Sequence, residues 1–230
     1  MLKIQDHRIR VAASRREEMQ NTLIFSVLSL SFEKSIHEID VDDVIRHAQV
    51  SRGSFYKYFP SVQASVLALA SQLAHELTTE IEAITHQIPD TATRLVVTSK
   101  LTMRYLVKVP LLGNFLIQLP WPSQNPDTNV FKHISVDIEL GIKEGVFTKM
   151  PASIGCNLLI GSLIGGVHIM LGKSASSKGY ENKVLSPALM GLGLDSQTAD
   201  ELLKVPMPSL PKLPATGLLG KIAMMNDLVS

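Results

Sequence analysis

Between residues 62 and 88 the apolar side chains Val62, Val66, Leu69, Leu73, Leu77, Ile81, Ile84 and Ile88 recur every three or four positions. That spacing places them on one face of a helix of about seven turns, ~40 Å long. A helix with such a stripe must bury it against neighbouring elements. Elsewhere in the 230 residues no run of apolar–polar alternation is bounded by turn residues, so strands are not expected. The expected fold class is all-α.

Caps and breakers divide the rest. Residues 1–16 carry Lys3, Arg8, Arg10, Arg15 and Arg16 against Asp6 alone and read as a basic arm, mobile like many termini. A first helix is expected over 17–34, with Met19, Leu23, Val27 and Leu30 on one stripe. Asp40, with Asp43 three residues on, opens a short helix to Ala48, and Ser51 opens another over 52–58, stopped by Pro60. After the 61–88 helix, Asp90 or Thr91 starts a helix over 91–109. Four prolines make 110–126 a broken connector around one short helix. Helices are then expected at 127–146, 150–171, 181–192 and from Asp195 or Ser196 to 204. Pro206, Pro208, Pro211 and Pro214 mark residues 206–230 as a proline-rich tail, extended at first and then a frayed helix or disorder.

Composition excludes several chemistries. Apolar residues make up 45% and charged residues 19%, as in a globular protein rather than a disordered one. With Cys156 as the single cysteine, no internal disulfide or cysteine zinc cage is available. The histidines stand at 7, 37, 47, 75, 86, 133 and 168, with no pair at i, i+4 ligand spacing, so no metal site is expected. No nucleophile motif, phosphate-cradling glycine loop or paired-carboxylate signature occurs. No catalytic residue, enzyme activity or cofactor is therefore expected. The N-terminus lacks the apolar core of a secretory signal, and a cytoplasmic location is expected.

The two short helices before residue 60 make a helix-turn-helix, the second beginning S-R-G-S-F-Y-K-Y-F. Its chemistry suits a reader of duplex DNA. Ser51, Ser54, Tyr56 and Tyr58 offer hydroxyls to phosphates or base edges. Arg52 offers a planar fork that matches guanine, and Lys57 a point charge. Gly53 lets the helix start approach the duplex, while Phe55 and Phe59, four apart, face the core. An ordinary surface turn with a tyrosine-rich helix is the alternative that composition leaves open.

The stretch VSRGSFYKYFPSVQASVLAL, residues 50–69, resembles the recognition helix and following helix entry of the tetracycline-repressor (TetR) family of bacterial regulators. The helical order of the remaining residues is similar to that family's effector-binding half. The resemblance implies an all-α homodimer, with an N-terminal three-helix helix-turn-helix domain (17–60) and a C-terminal helical effector-binding and dimerisation domain (61–205). It implies operator DNA contacts from Arg52, Ser54, Tyr56, Lys57 and Tyr58, with Gly53 allowing the approach. Val41, Ser51 and the arm residues Arg15 and Arg16 are further candidates. Asp42 reads as stabilising its helix dipole, or as a partner for Arg46. Departures from the family pattern fall at Ile45, Gln49 (usually Gly) and Val62 (often Lys).

Residues 150–172 contain no charged side chain. A buried core or interface helix is the expected reading, and a membrane span the alternative. The expected dimer interface draws on Gly161, Ile164, Gly165 and His168 from this helix and on Leu185 and Leu189 from the next. A small-molecule pocket is expected between residues 91–109, 110–126 and 127–146. Met103, Tyr105, Phe115, Trp121, Phe131 and Ile134 are its candidate apolar walls, and Arg104, Asn114 and His133 its candidate polar anchors. Such walls suit an amphipathic or aromatic effector. The expected function is a transcriptional repressor released from its operator by that ligand. A regulator with no small-molecule effector, and a ligand-binding relative with impaired DNA binding, stay open as alternatives.

Overall fold

The computed structural model describes residues 2–119, 129–172, 179–210 and 212–229. Among them every regular element is an α-helix: α1 (Leu2–Leu30), α2 (Val41–Ala48), α3 (Arg52–Tyr56), α4 (Val62–Thr85), α5 (Thr91–Lys108), α6 (Pro110–Ile117), α7 (Asn129–Lys143), α8 (Ala152–Leu171), α9 (Tyr180–Gly191), α10 (Ser196–Leu202) and α11 (Gly217–Val229). The chain forms two compact units, Met1–Gln72 and Leu73–Ser230, and their border falls inside α4.

In the first unit α1 packs on α2, and α2 on α3. The core is built from Leu23, Val27 and Leu28 of α1, Val44 of α2, Phe55 of α3, and Phe59, which follows α3. At about 25 cal/mol per Å² of apolar surface, each such side chain contributes about 1.5–3 kcal/mol when fully buried. Two expectations for α1 are corrected. The basic segment 1–16 is helical from Leu2 and continues into α1 without a break. The helix ends at Leu30, not residue 34, and residues 31–34 form a turn in which the Ser31 hydroxyl donates to Leu28 O at 2.7 Å.

The caps fall where the short polar side chains predict them. The Asp40 carboxylate accepts the Asp43 N–H (2.8 Å), and the Asp43 carboxylate accepts the Asp40 N–H (3.1 Å), a closed capping box. Asp43 also pairs with Lys34. Ser51 Oγ accepts the Ser54 N–H at 3.0 Å, Ser61 Oγ the Ala64 N–H at 3.1 Å, Asp90 the Thr93 N–H at 2.7 Å and Asp195 the Thr198 N–H at 2.9 Å. Each such cap stabilises its helix by about 1 kcal/mol.

In the second unit α5 supplies much of the core and packs against α6, α7 and α8, while α8 packs against α5, α6, α7 and α9. Gly166 permits the close approach of α8, since a Cβ there would meet Val184 at 2.8 Å and Met103 at 2.9 Å. Arg94 joins α5 to α7 through Asp137 (2.8 Å) and also donates to Ile88 O (2.9 Å). The tail differs from expectation. After an extended stretch, α11 buries Leu218, Leu219 and Ile222 rather than fraying. Three apolar side chains within five residues make one helix face that the unit covers.

Candidate nucleic-acid interface

The turn between α2 and α3 is made by Gln49, with φ 55° and ψ 43°. It is the one non-glycine residue with positive φ among the described residues. Its left-handed conformation lets the Val50 N–H reach Ile45 O at 3.0 Å, which closes α2. The chain therefore keeps the turn geometry that a glycine supplies more easily, and Ser51 restarts the helix two residues on.

Phe55 anchors α3. Its side chain is fully buried, and its ring packs tilted against Phe59, with centroids 6.1 Å apart. With that face turned inward, Ser51, Arg52, Gly53, Tyr56 and Lys57 are exposed, and Ser54 and Tyr58 are partly exposed. Nothing lies closer to a Cβ built on Gly53 than Ser51 Oγ at 3.9 Å, so this side of α3 is open. Arg15 and Arg16 are exposed on α1, and Val41 is partly buried at the start of α2.

One relationship on this surface was not legible in the sequence. Arg52 Nη2 donates to Asp42 Oδ1 at 2.5 Å. Asp42 does not take Arg46, which lies nearest Asp43 at 3.7 Å. The Asp42 hydrogen bond, then its charge, and more weakly Tyr56, raise the Arg52 pKa above its ordinary value. Asp42 and Arg52 are ten residues apart on different helices, so no local spacing rule joins them. Between the end of α1 and α2, an open groove of about 420 Å³ is lined by Leu30, Glu33, Lys34, Asp43, Arg46 and His47.

In the second unit, Met103, Tyr105 and Phe115 are almost wholly buried and Phe131 largely so. Burial pushes the Tyr105 phenol up to about 12. Ile134 is partly exposed. Two of the expected polar anchors, Arg104 and His133, have acidic partners. Arg104 pairs with Glu181 of α9 at 2.7 Å. His133 Nδ1 lies 2.5 Å from Glu82 Oε1, both about half exposed, and Asn114 is exposed. The helical phase of α6 and α7 turns Asn114 and His133 outward from the faces carrying Phe115 and Phe131. Trp121 lies outside the described residues. Burial works against the Glu181 charge, yet the Arg104 hydrogen bond brings its carboxyl below the usual range. Lys100, buried, donates to Leu203 O at 2.5 Å, and desolvation lowers its pKa. The Cys156 thiol is buried and pushed up to about 11, which leaves it unreactive at neutral pH.

α8 is the one described helix long and apolar enough to cross a membrane. One of its faces, with Cys156, Leu159, Leu163 and Val167, is buried in the unit. The other leaves Ile154, Gly165, His168 and Ile169 exposed, and Gly161 and Ile164 partly so. A Cβ on Gly165 would meet nothing within 4 Å. Leu185 and Leu189 were expected at an interface with a second copy, but they are buried in their own subunit. The cause is phase: they share one side of α9, and Lys183, Pro187, Met190 and Gly191 occupy the exposed side.

No protein-family model and no curated protein matches the sequence. Solved structures do. RolR in complex with resorcinol is similar at a TM-score of 0.71 and 21% identity, over 86% of this chain and 100% of that one. RolR without ligand gives 0.66 at 20% identity, over 83% and 100%. A TetR-family transcriptional regulator from Pectobacterium atrosepticum gives 0.54 at 18% identity, over 84% and 98%. At these identities the likeness is one of fold.

Proposed function

We propose that this chain, which has the fold of TetR-family regulators, is a DNA-binding transcriptional regulator that works as a cytoplasmic homodimer. The observation that carries the reading is α3. A capped, Phe55-anchored helix presents Arg52, Tyr56 and Lys57 outward on a face with open space around Gly53. Those groups are a guanidinium fork, a phenol and an ammonium, suited to base edges and phosphates of an operator duplex.

The exposed apolar side of α8 supports self-association. An uncharged helix face bearing Ile154 and Ile169 suits a copy of itself, and a two-fold dimer matches a palindromic operator. Control by a small aromatic or amphipathic effector is part of the proposal. RolR has been crystallised with resorcinol, and the buried Met103, Tyr105 and Phe115 offer walls of matching chemistry. A ligand that binds better to a state with wrongly spaced recognition helices would release the operator, and the proposed role as a repressor rests on the resemblance to the TetR family.

Selection from a random duplex pool by the purified protein tests it. Enrichment of a palindrome with half-sites about one helical turn apart is expected, and a pool that stays random overturns it. The recovered operator then reports on ligands. Release by phenols or other small amphiphiles supports effector control, and indifference to the whole panel favours a regulator without such an effector.

A further inference from the structure

We propose that Asp42 is a positioning residue for base reading: it holds the Arg52 guanidinium in one orientation and so sets discrimination beneath α3. The inference rests on the DNA-binding reading above.

Three observations carry it. Arg52 is the first residue of α3, directly after the Ser51 cap, so its side chain leaves the helix at the end that enters a groove. Its Nη2 is bound to Asp42 Oδ1 at 2.5 Å, and both side chains remain about half exposed. The carboxylate thus takes one N–H group of the fork, and the guanidinium stays about half exposed to solvent. Finally, among the described residues Arg52 is the only partner of the Asp42 side chain. The α2 cap is Asp40, and Arg46 and Lys34 go to Asp43.

Geometry separates what this restraint does for phosphates from what it does for bases. A phosphate presents several equivalent oxygens, so a guanidinium can pair with it in more than one orientation. A guanine edge accepts two parallel N–H bonds only from a fork lying in its plane. An unrestrained arginine samples many rotamers and presents that plane rarely. A carboxylate beside a polyanion also repels it, which weakens attraction to any duplex. Asp42 therefore lowers general affinity and raises selectivity, and its removal moves the two in opposite directions.

The test uses the full chain and its selected operator. Wild type, Asp42→Asn and Asp42→Glu are titrated by anisotropy against the operator, the operator with single base changes under α3, and random duplex. Asp42→Asn is expected to bind random duplex about threefold more tightly, and to lose about tenfold in its preference for the operator over the changed base. Asp42→Glu should restore most of that preference. In the DNA-free protein, relaxation of the Arg52 Nε–Hε group should report a more mobile side chain in Asp42→Asn. An unchanged preference would reduce Asp42 to a repelling charge, and an increased one would make it a competitor of DNA; either overturns the inference alone. Wild type that selects no sequence overturns the DNA-binding reading and the inference together.

Discussion

The Glu76 carboxylate, in α4, accepts the backbone N–H groups of both Leu218 (3.1 Å) and Leu219 (2.9 Å) at the start of α11. An acid from a distant helix thus does what a local cap residue does elsewhere in the chain, and its negative charge suits the positive end of the helix. Glu76→Ala should lower stability by about 1–2 kcal/mol and speed amide exchange at Leu218 and Leu219. Glu76→Gln keeps an acceptor oxygen and should cost less. Unchanged exchange in the alanine variant would show that apolar burial alone holds α11.

Gln49 bears a Cβ in a left-handed conformation, at φ 55°. That geometry costs a residue with a side chain about 1–2 kcal/mol, part of which glycine recovers only against its freer unfolded state. Gln49→Gly should therefore raise stability by about 0.5–1 kcal/mol, and Gln49→Val, branched at Cβ, should lower it. Urea midpoints at constant slope measure both.

Three aspartates sit at helix starts with lowered pKa values. Asp43 is held down first by the Lys34 hydrogen bond and then by the Asp40 N–H, and Asp90 by Thr93. Asp195 is held by the backbone and hydroxyl of Thr198. A carboxyl depressed by folding adds stability at pH values above its unfolded value of about 3.9, and loses it as pH falls through the folded value. Stability should hold between pH 7 and about 5 as far as these groups are concerned, then fall below about pH 4. Asp43→Asn should shallow that acid limb in urea titrations at pH 6 and pH 3. An unaltered limb would mean that neither Lys34 nor the Asp40 N–H holds this carboxyl down in solution.

Removing Glu181 leaves Arg104 without its partner and Lys100 with one fewer favourable charge. Glu181→Ala should cost about 2–4 kcal/mol, since Glu181 is mostly buried and a stranded cation costs more than a lost pair. A double-mutant cycle with Arg104→Ala should return a coupling of about 1–2 kcal/mol. Additive losses would show the pair to be fully solvated.

Gly165 has open space where a Cβ would stand. Gly165→Phe should leave the subunit folded, with an unchanged far-ultraviolet spectrum, yet block close approach by a second α8. Sedimentation is expected to show a dimer for wild type and a species near 25.2 kDa for the variant. A dimeric Gly165→Phe would move the interface away from this face.

What the sequence made legible was whatever short-range chemistry decides. Asp40, Ser51, Asp90 and Asp195 cap helices because a polar side chain meets an amide three residues on. The 62–88 stripe became α4, with Val66, Leu69, Leu73, Leu77 and Ile81 buried, although the helix closes at Thr85, short of Pro89. The candidate reading face of α3 was legible because Phe55 and Phe59 fix its phase. Contacts set by tertiary packing were not. Glu76 meets Leu218 across some 140 residues, and Asp42 meets Arg52 on another helix, with no spacing rule for either. Leu185 and Leu189 show a related failure: apolar spacing identifies a buried face but not whether the same subunit or another copy covers it.

Asp43 completes the capping box of α2, holds Lys34, and stands 3.7 Å from Arg46. Concentrating these bonds in one carboxylate removes redundancy. In a saturation scan of this region, tolerance should therefore be uneven. The turn before α2 has room to drift in sequence, provided Lys34 and the box survive. At position 43 glutamate, the usual acid at this place in a capping box, keeps both roles, an amide keeps the box but gives up the charge that holds Lys34, and an apolar residue gives up both. The local order of the first unit is thus robust to many small changes and brittle to one.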